Sequence, residues 1–376
     1  MTRTATHRKT ALMLPGGGAR GAYQVGVLKA LAEYLPGPAS PFRIIAGTSA
    51  GAINAAVMAS HAENFVEGCA RLEHYWGNFR CHHIYRVGWG HNLLTGLHWL
   101  ASLTLGGLGV ANPRALFDTA PLKTLLEREL DTGGIQRAID ADYIDALLVT
   151  ASSYATSSAV TFIHGKPGLP EWQLYRRTGR HERITAQHLL ASAALPLLFP
   201  ARRIGNEYYG DGGMRHTTPL SPPIHLGAER ILIIGTRDAR QDPAPTQPMH
   251  YPTLGEIGGY LLDVIFMDYL HNDLARLRRI NRTLGFVPPA SRPETGLRHV
   301  EAVLIQPSAD LRVIANRHLH RIPASVRTLL KGVGAWGPGR LPSYLLFEAE
   351  FCRELMDLGY QDGMQARDQV ERLFEP

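Results

Sequence analysis

Phe42–Asn54 reads FRIIAGTSAGAIN. FRIIA, Phe42–Ala46, is apolar apart from Arg43 and suits a buried strand, whereas Ala52–Ala59 is a run of small residues that suits a helix. Between them Gly47-Thr48-Ser49-Ala50-Gly51 spells G-x-S-x-G at a strand-to-helix turn, the setting a nucleophile elbow requires. Such a turn strains the central serine, so small residues must stand two positions away on each side, here Gly47 and Gly51. The helix that follows aims its N-terminal amides and dipole at the reacting centre. An ordinary glycine-rich turn gives the same short pattern, so the neighbouring segments must decide.

Upstream, Pro15–Leu28 reads PGGGARGAYQVGVL after the short apolar run Ala11–Leu14. Gly16, Gly18 and Gly21 fit G-x-G-x-x-G, the dinucleotide fingerprint. That reading calls for an acid about 20 residues on, at the end of the next strand. Pro36–Ala46 contains no acid, and Arg43, the one residue there suited to a 2′-phosphate, sits within the strand. The chain supplies Ser49 instead. The two glycine clusters therefore read better as halves of one site, with amides around Gly17, Gly18 and Ala19 receiving the oxyanion formed when Ser49 attacks a carbonyl. Arg20 either anchors this loop and adds positive charge or is a salt-bridging surface residue.

A nucleophile needs a base. In YYGDGGMRHTTPL, Tyr208–Leu220, Asp211 is followed by Gly212 and Gly213, which predicts a tight, accessible loop; a plain turn is the common meaning of D-G-G. The chain also has 17 histidines, and a Ser-His-Asp triad through His216 or His271 stays open at this point. Cys81-His82-His83, with Cys69 and His74 nearby, matches no standard zinc spacing and reads as a histidine-rich loop.

Taken in order, GGGARG (Gly16–Gly21), GTSAG (Gly47–Gly51), ASAALPLLFP (Ala191–Pro200) and DGG (Asp211–Gly213) resemble the patatin-like phospholipases over roughly residues 8–240. Each piece is short, but four in sequence are specific. The resemblance implies a three-layer α/β/α sandwich with a mostly parallel sheet. It also implies a Ser49–Asp211 dyad that works without histidine. The oxyanion hole would come from Gly16, Gly17, Gly18, Ala19 and Arg20, with Gly47 and Gly51 shaping the elbow and Gly212 and Gly213 the Asp loop. Neither cofactor nor metal is implied. Where many members carry Asn shortly after D-G-G, this chain has Thr217-Thr218-Pro219.

The remaining residues set the organisation. Strands alternating with helices over the first ~240 residues independently predict a largely parallel sheet covered on both faces. At 45% hydrophobic and 19% charged, the chain can bury a substantial core. Residues 80–118 read as a lid-like insertion, 241–254 as a proline-rich linker, and 255–376 as a mainly helical extension packed on the catalytic domain. Within the extension, an apolar stripe from Ile257 to Leu277 reads as core, and Ser343–Leu358 as a helix ended by Gly359.

Three cysteines without regular spacing fit a reducing compartment. The basic N-terminus leads into too short an apolar run for a signal peptide. The expected location is the cytoplasm, with peripheral contact at the inner membrane face. Two features suggest that contact: the uncharged, Trp-containing run Val87–Val110, which reads equally as an internal helix, and the acid-free basic run Leu311–Lys331. The net charge of +6 suits anionic surfaces; no nucleic acid partner is expected. The sequence thus points to a serine acyl-ester hydrolase of phospholipids or lysophospholipids. Its competitors are a soluble esterase with a triad, and a non-catalytic lipid-binding module.

Overall fold

The computed structural model describes residues 9–88, 115–238, 269–332 and 340–375, with a few single positions between them. Nearly all of the Val87–Val110 run, the proline-rich linker, and Val264 and Met267 of the apolar stripe lie outside the described residues.

The architecture is a three-layer α/β/α sandwich. β1 (Thr10–Leu14), β2 (Ile44–Thr48), β3 (Ala146–Ser153), β9 (Arg230–Ile234) and β10 (Glu301–Ile305) run parallel in the order β10-β9-β1-β2-β3. β4 (Ala159–Gly165) pairs antiparallel with β3 and leads on to β6 (Arg177–His181) and β5 (Trp172–Leu174). The central strands are short apolar runs because each is buried on both faces. Alternate side chains divide between two cores. Leu12, Leu14, Ile45, Leu147 and Val149 face one; Ala11, Met13, Ile44, Ala46 and Leu148 face the other.

The first core is covered by α1 (Ala22–Tyr34), α2 (Ala50–Ser60), α3 (Phe65–Gly77) and the Ala349–Gln365 helix. The second is covered in part by the Tyr269–Phe286 helix. Its Leu270, Leu274 and Leu277 are buried, which is the core role expected of the stripe, whereas Ile257 and Leu261 are exposed.

The C-terminal region departs from expectation in a second respect. Ser343–Leu358 is not one helix ended by Gly359. A helix over Arg340–Leu345 stops, and a second runs from Ala349 through Gly359 to Gln365. Gly359 is there for packing: a Cβ on it would lie 2.2 Å from the Tyr23 carbonyl oxygen, so α1 and this helix touch backbone to backbone. The Thr132–Asp140 helix has no counterpart in the sequence reading, because two glycines sit in its first turn. Asp131 starts it by accepting from Gly134 N at 2.8 Å. In the basic run Leu311–Lys331, three of the five Lys and Arg residues are paired with acids: Arg312 with Asp310, Arg317 with Glu354 and Arg321 with Glu350.

Candidate active site

β3 brings the site together. β4 occupies one edge of β3, and two strands share the other. β2 runs parallel along it until Thr48 pairs with Thr150. β8 (Glu207–Asp211), the antiparallel partner of β7 (Arg202–Ile204), runs antiparallel to β3 from the far end until Asp211 pairs with Ala151. Ser49 and Asp211 therefore arrive at one point. The glycine loop reaches the same place because Leu14, the last residue of β1, pairs with Gly47. This is the carboxyl end of adjacent parallel strands, where open α/β sheets place their sites.

Ser49 has φ 56° and ψ −130°, a conformation rare for a residue with a side chain. Such strain costs about 1–3 kcal/mol and persists only where the surroundings enforce it. They do so here. A Cβ on Gly47 would lie 2.4 Å from Gly51 O, and one on Gly51 would lie 2.0 Å from Leu14 O. The strand end, the elbow and the start of α2 are thus in backbone contact, which explains both glycines. Ser49 N donates to Ser192 Oγ at 2.8 Å, and Ser192 Oγ donates to Thr150 O at 2.6 Å. Asp211 N donates to Ala194 O at 2.8 Å. One segment, Ala191–Pro200, therefore ties down both residues. The sequence flagged that segment without showing what Ser192 does.

Asp211 corrects an expectation. Its loop is tight, but its carboxylate is fully buried rather than accessible. Oδ1 accepts from Gly213 N at 2.8 Å. Oδ2 has no hydrogen-bond partner among the described residues. Burial drives the carboxyl pKa up to about 7, against the opposing pull of the nearby Ser49 hydroxyl and the Gly213 amide. Gly212 is required because a Cβ would lie 2.1 Å from Thr150 O.

In the glycine loop, Gly18 takes φ 55° and opens a single 3-10 turn, Gly18–Gly21. Thr236 Oγ1 donates to Gly16 O at 2.8 Å, and Gln24 Nε2 donates to Pro15 O at 2.9 Å. Gln24 in turn accepts from Asn54, which accepts from Trp76 Nε1 at 2.9 Å. These buried polar partners escaped the sequence reading; the signal was a glutamine on an otherwise apolar helix face. No acceptor among the described residues receives the Gly17 or Gly18 N–H. The Arg20 N–H, by contrast, donates to Gly17 O at 3.1 Å. Arg20 is not a surface residue: its guanidinium is buried against Ser343 and Tyr344.

The histidines and cysteines stand elsewhere. His216 Nδ1 lies 3.2 Å from Thr48 Oγ1, beneath the elbow, and burial lowers its pKa to about 4. His271 is exposed on the Tyr269–Phe286 helix. Cys69 and Cys81 are buried thiols directed at the carbonyls of Leu28 and Leu345. Among the described residues no group of three or more His, Cys, Asp or Glu is placed to hold a metal ion. Arg43 is committed to Asp145 at 2.6 Å and to Asp142, so the residue suited to a 2′-phosphate is already paired.

From Ser49 a narrow channel with about 60 Å³ of free volume runs along α2, lined by Ala50, Ile53, Val57, Leu126 and Phe347. Ser49, Ala50, Ile53 and Val57 share one helix face, so the channel follows α2 for about two turns, ~12 Å. Apart from Ser49 itself, its lining is apolar except for Tyr75 and Glu129, which bond to each other at 2.9 Å.

The sequence profile described as Patatin-like phospholipase matches residues 12–224. A protein named cGAMP-activated phospholipase, from Pseudomonas aeruginosa, is 30% identical over 236 residues, which take in 60% of this chain and 61% of that protein. Lysophospholipase nte1 of Aspergillus terreus is 48% identical over 63 residues, 17% of this chain and 4% of that one. This chain thus spans under two thirds of the length of these relatives. Human GIVD cytosolic phospholipase A2, solved in complex with methyl gamma-linolenyl fluorophosphonate and terbium chloride, superposes with a TM-score of 0.44 at 13% identity, covering 98% of this chain and 59% of that one. The chain belongs to the patatin-like phospholipase family.

Proposed function

We propose that this protein hydrolyses acyl esters of phospholipids or lysophospholipids through a Ser49–Asp211 dyad and an acyl-enzyme intermediate. The observation that carries this reading is the coincidence of three features. They are a strained, buried serine, a buried carboxylate with a free oxygen beside it, and an apolar channel that starts at the serine. Ionised Asp211 takes the Ser49 proton as Oγ attacks the ester carbonyl. The Gly17 and Gly18 amides receive the oxyanion, each such donor being worth about a hundred- to thousandfold in rate. The leaving alcohol or lysophospholipid takes the proton from Asp211. Water then cleaves the acyl-enzyme by the same steps, with Asp211 again as base.

The apolar channel takes the acyl chain, which places the selective contacts on the fatty acid side of the ester. The catalytic machinery up to Asp211 lies within residues 8–240, and β10 from the region beyond 255 extends the same sheet. Lipid esters are presented at interfaces, so this reading includes peripheral contact with a membrane from the cytoplasmic side. No helix among the described residues is long and apolar enough to cross a membrane. The deciding experiment is hydrolysis of a chromogenic short-chain ester and of phospholipid vesicles by wild type, Ser49→Ala and Asp211→Ala. Activity lost in both variants, with folding kept, supports the dyad. Wild type inert on both substrates would leave a binding module.

A further inference from the structure

The oxyanion loop is held from outside the family-matched region. Arg20 is 2% exposed. Its Nε and Nη2 donate to Ser343 Oγ at 3.0 and 2.7 Å, its Nη1 donates to Tyr344 Oη at 3.1 Å, and its guanidinium carbon lies 3.9 Å above the Tyr344 ring. Two residues away, a Cβ on Gly18 would lie 2.4 Å from Tyr344 O. The loop and residues 343–344 are therefore interlocked twice, once through a side chain and once backbone to backbone.

The segment is itself fixed on its other side. Tyr85 Oη donates to Leu345 O at 2.9 Å, Cys81 N donates to Glu348 Oε1 at 3.1 Å, and Arg80 pairs with Glu348 at 3.0 Å. Between these anchors Phe347 forms part of the channel wall and stacks on Trp76 with ring centroids 6.2 Å apart. The family profile stops at residue 224, more than a hundred residues short of Ser343.

We propose that Ser343 and Tyr344 are positioning residues for catalysis: acting through Arg20, they hold the Gly17 and Gly18 amides where the oxyanion forms. The inference rests on the function proposed above. Arg20 serves by holding rather than by donating to substrate, since its N–H is spent on Gly17 O and its guanidinium faces residues 343–344. The planar fork of arginine spans a hydroxyl, a phenol and an aromatic face at once, which a lysine ammonium cannot do. Donors that are preorganised gain nothing for substrate binding but stabilise the transition state. Loosening them therefore lowers kcat and spares KM.

The test uses the full chain as wild type, Ser343→Ala, Ser343→Thr, Tyr344→Phe and Arg20→Lys. Steady-state kinetics on a chromogenic short-chain ester are combined with the rate at which a fluorophosphonate labels Ser49. The expected result is a tenfold or greater fall in kcat and in labelling rate for Ser343→Ala, Tyr344→Phe and Arg20→Lys. KM stays within twofold, and Ser343→Thr, which keeps the hydroxyl, recovers most of the rate. Unchanged kcat in Ser343→Ala and Tyr344→Phe overturns the proposal. So does a loss that tracks melting temperature, with kcat and KM moving together and no rescue by threonine. A folded wild type that neither hydrolyses ester nor is labelled at Ser49 refutes the proposed function, and this inference falls with it.

Discussion

Ser49 and Asp211 stand at the ends of two strands that meet head-on along one edge of β3, Thr48 paired with Thr150 and Asp211 with Ala151. Their proximity is a property of the sheet rather than of flexible loops, so it survives removal of either side chain. Ser49→Ala and Asp211→Asn are expected to fold normally and to lose at least about a thousandfold in kcat on any ester. Asp211→Glu should be nearly as inactive, because an added methylene has no room in a fully buried site. Near wild-type turnover by either Asp211 variant would remove Asp211 from the mechanism.

The pH profile carries a second expectation. Asp211 must be ionised to act as base, and burial raises its pKa to about 7. Activity should therefore rise with pH along an acid limb near 7. A limb in this range usually suggests histidine. Here the buried candidate, His216, is pushed down to about 4 and stays neutral throughout. The limb should persist in His216→Gln and His271→Gln, each keeping kcat within about tenfold of wild type. Loss of both the limb and the activity in either variant would replace the dyad with a histidine triad.

The same shift makes a stability statement. The folded-state pKa lies above the unfolded one, so the native form holds a proton that the unfolded chain has released. Stability therefore falls as pH rises from about 4 towards 7, and the loss is complete above the folded pKa. Asp211→Asn abolishes that penalty. Its melting temperature should match wild type below about pH 4 and exceed it by ~5 °C or more at pH 8. A gap that is constant across pH would show that Asp211 is not the buried, proton-linked group described here.

The glycines separate what the sequence discloses from what it hides. Gly47, Gly51 and Gly212 were legible because each stands in a short contiguous motif, GTSAG or DGG. Gly51→Ala should fold poorly, since its Cβ would lie 2.0 Å from a main-chain oxygen that cannot yield. Gly285→Ala, with nothing within 4 Å, should be neutral or slightly stabilising. Comparable melting temperatures in the two variants would contradict the packing. Gly18 and Gly359 answer to partners more than 300 residues distant, Tyr344 and Tyr23. Periodicity and spacing are local signals, so they located strands and the strand-to-helix turn at Ser49, whereas Asp211 was singled out by the family resemblance. They did not show that residues 343–348 border the site, nor that Ser192 ties the nucleophile to β3.

The channel gives the last expectation. Ile53 lies about one turn of α2 beyond Ser49, and Val57 about two turns, ~6 and ~12 Å along the axis. A larger side chain at either position fills the channel, close to Ser49 at position 53 and about one turn deeper at position 57. Ile53→Phe should leave turnover of acetyl and butyryl esters within about threefold and cut kcat/KM for long-chain esters by tenfold or more. Val57→Phe should spare medium chains as well and penalise only the longest. A pocket typically resolves one methylene by about 1–3 kcal/mol, so the cut-off should be sharp. The graded pair is the informative comparison. Equal losses across chain lengths, or a cut-off that does not move between positions 53 and 57, would mean that the acyl chain leaves Ser49 by another route and that the apolar path along α2 is packing alone.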